Sequence, residues 1–187
     1  MTDSTTIDVP GYKAGTWVLD PAHSEVTFSV RHMMISKVRG TFGVKSATLY
    51  APENPLDARV EATVDVSSVD TNDSGRDGHL RSADFFDVEN HPTMEFHSTG
   101  VRLERGEFLV DGDLTIRGIT KPVTFDFDFG GFGTDPYGNY KAGATAKAVI
   151  NREDFGLTWN AALETGGVLV GKDVTIELDL QGALQQD

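Results

Sequence analysis

Histidine, serine and carboxylate side chains are the groups in this sequence that could carry out catalysis. The five histidines are His23, His32, His79, His91 and His97. No two of them have the i, i+4 spacing that places two zinc ligands on one helix face. His23 and Ser24 are adjacent, so in an extended strand they point to opposite faces and cannot form a nucleophile–base pair. The chain has no cysteine, which excludes thiolate metal sites and disulfides. We therefore predict no catalytic residue and no metal site.

The elements that must position these groups are strands of alternating polarity. In residues 123–129, one valine and three phenylalanines alternate with Thr124, Asp126 and Asp128. Such a strand has water on one side and a core on the other. Residues 108–117 repeat the pattern, and the same alternation predicts six further strands within residues 25–31, 38–45, 56–66, 94–97, 142–150 and 173–180.

Eight one-sided strands separated by turn residues predict a single all-β, antiparallel domain. Closure into a barrel is favoured over a sandwich because it removes the edge strands. Residues 67–92 break the alternation: 67–75 are rich in turn residues, and 76–82 are compatible with a short helical insert. Phe85 and Phe86 follow, either as a lid over one barrel mouth or as anchors of a surface connection.

His32 is the histidine on the inward face of its strand, in phase with Val26, Phe28 and Val30. It is either a structural histidine bonded to a neighbouring strand or a group that meets the polar head of a ligand. The carboxylates mostly point outward, which indicates a solvated acidic face and not an acid–base pair.

An alanine column decides whether the barrel is filled or hollow. Ala142, Ala144, Ala146 and Ala148 occupy successive inward positions and leave space that larger residues would fill. The alternative is that they merely accommodate the large side chains of residues 123–129. We expect an open lumen in which Ala146→Phe would fit without loss of stability. The side chains predicted to line it are Phe28, Val30, His32, Phe42, Phe96, Phe108, Val110, Leu114, Phe125, Phe127, Ala144, Ala146 and Ala148.

The net charge of the 187-residue chain limits the classes of partner that it can bind. With 29 acidic and 16 basic residues, its net charge is -13, so it repels nucleic acid and anionic membranes unless a local basic patch exists. The densest basic group, Lys37, Arg39 and Lys45, is scattered along one strand and predicts no such patch. The first residues lack a secretory signal pattern, and no apolar run reaches the ~18 residues of a membrane span, so we expect a cytoplasmic protein.

Several motifs together resemble the YceI family of lipocalin-like proteins. They are WVLDPAHS at 17–24, VTFSVRHM at 26–33, KVRGTF at 37–42, HLRSADFFDV at 79–88 with Pro92, and GDLTIRG at 112–118 followed by TKP at 120–122. The resemblance covers about residues 16–182. It implies a lipocalin-like barrel that holds an isoprenoid quinone, a polyprenyl chain or a similar amphiphile. Family members are usually non-enzymatic, often dimeric and frequently exported to the periplasm. Residues 151–159 (NREDFGLTW) also resemble a family signature, in which we expect Arg152 to be a structural ion-pair partner.

The sequence therefore predicts an eight-stranded lipocalin-like barrel over residues 16–182, with a polar tail at 1–15 and a short tail at 183–187. Its predicted function is non-enzymatic binding, storage or transport of a polyisoprenoid or quinone-like lipid, with no other cofactor, no nucleic-acid partner and a homodimeric assembly. Two alternatives stay open. One is an enzyme that acts on a lipid inside the barrel, and the other is a packed barrel that serves as a stress or interaction protein.

Overall fold

Nine strands hydrogen-bond antiparallel to their neighbours in one sheet of the computed structural model, which describes residues 7–163 and 167–186. The strands are β1 Gly15–Leu19, β2 Glu25–His32, β3 Ser36–Ala51, β4 Arg59–Asp70, β5 Thr93–Glu104, β6 Glu107–Ile116, β7 Ile119–Thr134, β8 Tyr140–Asn151 and β9 Val170–Leu184. One α-helix, α1, spans Ser74–Arg81, and 3₁₀ turns occupy Pro21–His23, Pro55–Asp57 and Arg152–Phe155.

The sheet closes on itself and forms the predicted barrel. Strands β2, β9, β8, β7, β6, β5, β4 and β3 pair in that order, and β3 pairs back onto β2. The eight-stranded barrel is therefore confirmed, with one strand more than the alternation predicted.

The additional strand, β1, is half of an interrupted strand whose other half is β2. Val18 pairs with Thr48 of β3 and Ala183 of β9, while Val26 of β2 pairs with Phe42 and Leu178 of the same two strands. Pro21 breaks the strand because it has no backbone N–H, and the Asp20 carboxylate caps the intervening 3₁₀ turn by accepting from the Ala22 amide.

Three β-bulges change which side chains face the interior. They lie between Val44 and Ser46, between Ser98 and Gly100, and between Phe129 and Gly131. Each inserts an extra residue and reverses the alternation beyond it. Ala47, Val101 and Phe132 consequently point into the barrel.

The predicted helical insert is α1, which covers one end of the barrel. Asp73 caps its first turn, and the Arg81 guanidinium ties it to β4 by donating to the carbonyls of Ser67 and Val69, both at 3.0 Å. Strand β4 continues to Asp70, so the first part of the segment expected to be turns is strand. No helix in the described ranges has the length and apolar character needed to cross a membrane.

Candidate ligand-binding site

The barrel interior contains two apolar cavities, one toward each end. The smaller, called here the Trp17 cavity, has a volume of about 140 Å³. The larger, the Trp159 cavity, has a volume of about 380 Å³ and lies beneath α1 and the segment that follows it. Only the larger falls within the ~300–1,000 Å³ typical of small-molecule sites.

A packed section, called here the waist, separates the two cavities. On β8, Ala144 lines the Trp17 cavity and Ile150 lines the Trp159 cavity, while Ala146 and Ala148 between them line neither. Strands β3, β5, β6 and β9 show the same sequence of lining, non-lining and lining residues. The waist comprises Val44, Ala62, Val64, Phe96, Gly112, Leu114, Val123, Phe125, Ala146, Ala148 and Leu178.

The residues predicted to line one lumen are thus distributed over three levels. Phe28, Val30, His32 and Phe42 line the Trp159 cavity together with the proposed lid residues Phe85 and Phe86. Phe108, Val110, Phe127 and Ala144 line the Trp17 cavity. Phe96, Leu114, Phe125, Ala146 and Ala148 belong to the waist.

Two of these findings differ from the expectation of an open lumen. The interior is divided where a continuous channel was expected, because aromatic side chains of β5 and β7 meet at mid-height. Ala146, expected beside empty space, is buried among those side chains.

Arg152 is the buried cation of the Trp159 cavity, with 3% of its surface exposed. It was expected to form an ion pair, but no carboxylate of the described residues lies within 4.0 Å of its guanidinium. Instead Nε donates to Gly171 O at 2.7 Å, Nη1 to Leu157 O at 2.5 Å and Trp159 O at 3.0 Å, and Nη2 to Val170 O at 3.3 Å. Desolvation by burial lowers the pKa of Arg152.

The carbonyls that accept from Arg152 belong to the irregular backbone after β8 (Leu157 and Trp159) and to the first two residues of β9 (Val170 and Gly171). A guanidinium suits this position because its planar donors reach several acceptors at once. The sequence could not reveal this role, since the acceptors are backbone atoms up to 19 positions away.

His79 is a residue of this cavity that sequence analysis did not select. Its ring packs edge to face against Phe85 and Trp159, with centroids 5.1 and 4.7 Å away. Nε2 lies 2.9 Å from the Asp84 carboxylate. The cluster joins α1, the proposed lid and the β8–β9 connection, and so closes one side of the cavity.

His32 lies at the end of β2 and contributes to the wall of the same cavity. Among the described residues its imidazole has no hydrogen-bond partner; its backbone carbonyl accepts from Ile35 N and Ser36 Oγ, both at 3.3 Å. The bond to a neighbouring strand expected of a structural histidine is therefore not made by the ring.

The Tyr12 hydroxyl and the Trp17 indole N–H, which belong to the wall of the Trp17 cavity, already donate hydrogen bonds within the protein. The Tyr12 hydroxyl donates to Pro52 O at 2.5 Å, and the Trp17 indole donates to Lys13 O at 3.1 Å. Burial, followed by the nearby Glu53 charge, raises the pKa of Tyr12. Tyr12 belongs to the N-terminal segment expected to be a tail, and it contributes to the cavity wall. Residues 1–6 and 187 of the two predicted tails lie outside the described residues.

No group of three or more His, Asp or Glu side chains within residues 7–163 and 167–186 is arranged to hold a metal ion. The His23 imidazole bonds to Asp20 at 2.7 Å on the surface, and His97 points outward.

Comparison with known proteins gives consistent matches. A family model described as the YceI-like domain matches residues 17–182. A UPF0312 protein of Staphylococcus epidermidis is 42% identical over 160 residues, covering 84% of this chain and 91% of the relative. The crystal structure of Burkholderia cenocepacia BcnA is similar with a TM-score of 0.74 and 23% identity, covering 87% of this chain and 98% of that one. A polyisoprenoid-binding domain from Saccharophagus degradans has a TM-score of 0.67 and 14% identity, covering 90% and 98%.

Proposed function

Because the chain belongs to the YceI-like family, whose model covers residues 17–182, we propose that its barrel binds a long apolar amphiphile of the polyisoprenoid type. The protein stores or carries this lipid and does not transform it. The observation that carries the proposal is the Trp159 cavity, an apolar space of about 380 Å³ inside a closed barrel.

An empty apolar cavity is unfavourable because its lining lacks dispersion contacts on one side. A prenyl chain restores those contacts, and each buried CH₂ contributes about 0.8 kcal/mol. Ordering of the flexible chain offsets part of this gain. The cavity therefore favours a branched or linear hydrocarbon over a polar metabolite.

The polar end of the ligand is placed by Arg152 and His32. The Arg152 guanidinium lines the cavity, and no carboxylate of the described residues lies within 4.0 Å of it. The His32 ring lines the cavity as well and makes no hydrogen bond to any described residue. A hydroxyl, carbonyl or phosphate group of the ligand would accept from the His32 ring, or from the one Nη2 hydrogen of Arg152 that the backbone carbonyls leave unused. The name of the Saccharophagus degradans neighbour, a polyisoprenoid-binding domain, supports the same ligand class.

The alternatives account less well for these features. A barrel packed shut would not leave two apolar cavities. An enzyme would need a mobile acid or base beside the ligand, but four of the five Arg152 donors are engaged by backbone carbonyls, and the His79 ring is held by Asp84 between two aromatic rings.

The two tryptophans of the chain provide a direct test, because one lines each cavity. Trp17→Phe leaves Trp159 as the reporter of the larger cavity, and Trp159→Phe leaves Trp17 as the reporter of the smaller. Titration with farnesol should change the Trp159 emission and leave the Trp17 emission constant. A solvent extract of natively purified protein, analysed by mass spectrometry, should contain a prenyl lipid.

The matched control is octanoate, a short amphiphile without a prenyl chain, which should change Trp159 emission only at much higher concentration. If neither tryptophan responds to farnesol and the extract contains no lipid, the proposal fails.

A further inference from the structure

The turn between β2 and β3 presents three large apolar side chains to solvent. Met33, Met34 and Ile35 are 45%, 56% and 81% exposed. Isolated exposed apolar residues are common, but three consecutive ones at the tip of a hairpin form a projecting patch.

The backbone conformation of this turn is unfavourable for the residues that occupy it. Met33 and Met34 have φ angles of 53° and 62°, in the left-handed region that favours asparagine and glycine. Holding a longer side chain there costs about 1 kcal/mol or more per residue. Neither methionine is a residue type that this backbone conformation favours, and the Met34 thioether lies against Gly167, which precedes β9.

Three cations flank this tip on the outer face of the hairpin. Arg31 lies directly opposite Lys37, and Arg39 follows Lys37 two positions along the same face of β3. Like charges directly opposite each other destabilise a sheet. Among the described residues, no carboxylate lies within 4.0 Å of any of the three cations.

The prediction that the chain has no local basic patch is therefore wrong for this hairpin. Lys37 and Arg39 look scattered along the chain, but strand pairing brings Arg31 beside them. A local positive face is present on a chain whose net charge is -13.

The tip stands at the rim of the Trp159 cavity. The Met33 amide donates to Leu169 O at 2.7 Å, and both Leu169 and His32 line that cavity. Val168, 40% exposed, extends the apolar surface beside the tip.

We propose that the β2–β3 hairpin is a docking surface for an anionic lipid bilayer. Met33, Met34 and Ile35 enter the interface, and Arg31, Lys37 and Arg39 contact the anionic headgroups. Apolar insertion combined with headgroup attraction is the general basis of peripheral membrane binding. This inference goes beyond the lumen ligand and is measured without one.

The test is co-sedimentation of the full chain with phosphatidylcholine vesicles that contain or lack phosphatidylglycerol. Binding should require phosphatidylglycerol and weaken as salt rises. The double variant Met33→Asn, Met34→Gly introduces favoured turn residues, so its melting temperature should be unchanged or higher while binding falls about tenfold or more. Lys37→Gln and Arg39→Gln should each weaken binding about fivefold.

Two control variants remove comparable groups elsewhere. Tyr137→Ser removes a side chain that is 89% exposed in the loop between β7 and β8, at the Trp17 end, and Lys147→Gln removes an exposed cation of β8. Both should bind vesicles like the wild type. Wild-type protein that stays in the supernatant with both vesicle types would overturn the proposal. Equal binding of the wild type and the Met33→Asn, Met34→Gly variant would overturn it as well.

Discussion

The rings of Phe96 and Phe125 meet edge to face inside the barrel, with centroids 5.2 Å apart and planes at 86°. Both belong to the waist. Gly112 is required beside them, because a Cβ at that position would overlap the Phe96 ring. This contact separates the Trp159 cavity from the Trp17 cavity, and we propose that it limits the length of ligand chain that the larger cavity can hold.

Phe96→Ala should connect the two cavities. Loss of a large core ring typically costs about 3–5 kcal/mol, which denaturant unfolding will measure. The enlarged lumen should bind solanesol, a long prenyl alcohol, more tightly relative to farnesol than the wild type does. In the Trp159→Phe background, Trp17 emission should then respond to solanesol. A Trp17 signal that stays constant would show that the waist does not limit chain length. Phe96→Leu, a smaller change, should show the same trend more weakly.

Ala144 and Ala146 are two positions apart on the same face of β8 but should respond oppositely to enlargement. Ala144→Phe projects into the Trp17 cavity and should leave the free energy of unfolding nearly unchanged or raised. Ala146→Phe overpacks the waist and should cost about 1–3 kcal/mol. Thr145→Phe, which points outward, is the control and should change stability little. Equal effects at Ala144 and Ala146 would contradict the division of the lumen.

Arg152→Lys should destabilise the connection between β8 and β9. An ammonium group cannot reach all four carbonyls that accept from the guanidinium, and each buried acceptor left without a donor costs about 1–3 kcal/mol. Val170 O keeps a second donor, the Asn160 side-chain amide, at 2.7 Å. Chemical denaturation should show the loss. Arg81→Lys, at a more exposed arginine that also donates to two carbonyls, is the comparison and should cost less. Unchanged stability of Arg152→Lys would show that these bonds contribute little.

His32→Gln tests the proposed contact with the ligand's polar end. The glutamine keeps hydrogen-bonding capacity, and the native ring makes no hydrogen bond to the described residues. The melting temperature should therefore be unchanged. Affinity for farnesol, read from Trp159 emission, should fall about five- to tenfold, the equivalent of one hydrogen bond. Lower stability with unchanged affinity would make His32 a structural residue.

The ion pair between Asp111 and Arg102 should make stability depend on acid pH. The Asp111 carboxylate oxygens lie 2.6 and 2.9 Å from the Arg102 guanidinium. The hydrogen bonds from Arg102 and, to a smaller extent, from Thr124 hold the pKa of Asp111 below its usual value. A depressed carboxyl pKa adds stability above the unfolded-state pKa and loses it as pH falls through the folded-state value.

Wild type should therefore exceed Asp111→Asn in stability at neutral pH, and the difference should vanish at strongly acid pH. Unfolding midpoints over a pH series will measure it. Asp113→Asn, on the same strand face and without a basic group within 4.0 Å among the described residues, controls for the removal of one negative charge. A difference that is constant with pH would exclude the ion pair as its cause.

The barrel could be predicted from the sequence because strand polarity is a local property. Valine and phenylalanine alternate with aspartate in residues 123–129 whatever the rest of the chain does, and eight such segments leave few other folds. Motifs such as those at residues 17–24 and 79–88 indicated the family, from which the proposed ligand class follows.

Tertiary structure alone decided how that interior is divided and what surrounds it. Bulges reverse the alternation, so Val101 faces inward although strict alternation from Phe96 would turn it outward. The Phe96–Phe125 contact, the carbonyls around Arg152 and the pairing of Arg31 with Lys37 join residues distant in sequence. Their geometry depends on the closure and register of the whole sheet, whereas alternation depends only on neighbours along the strand.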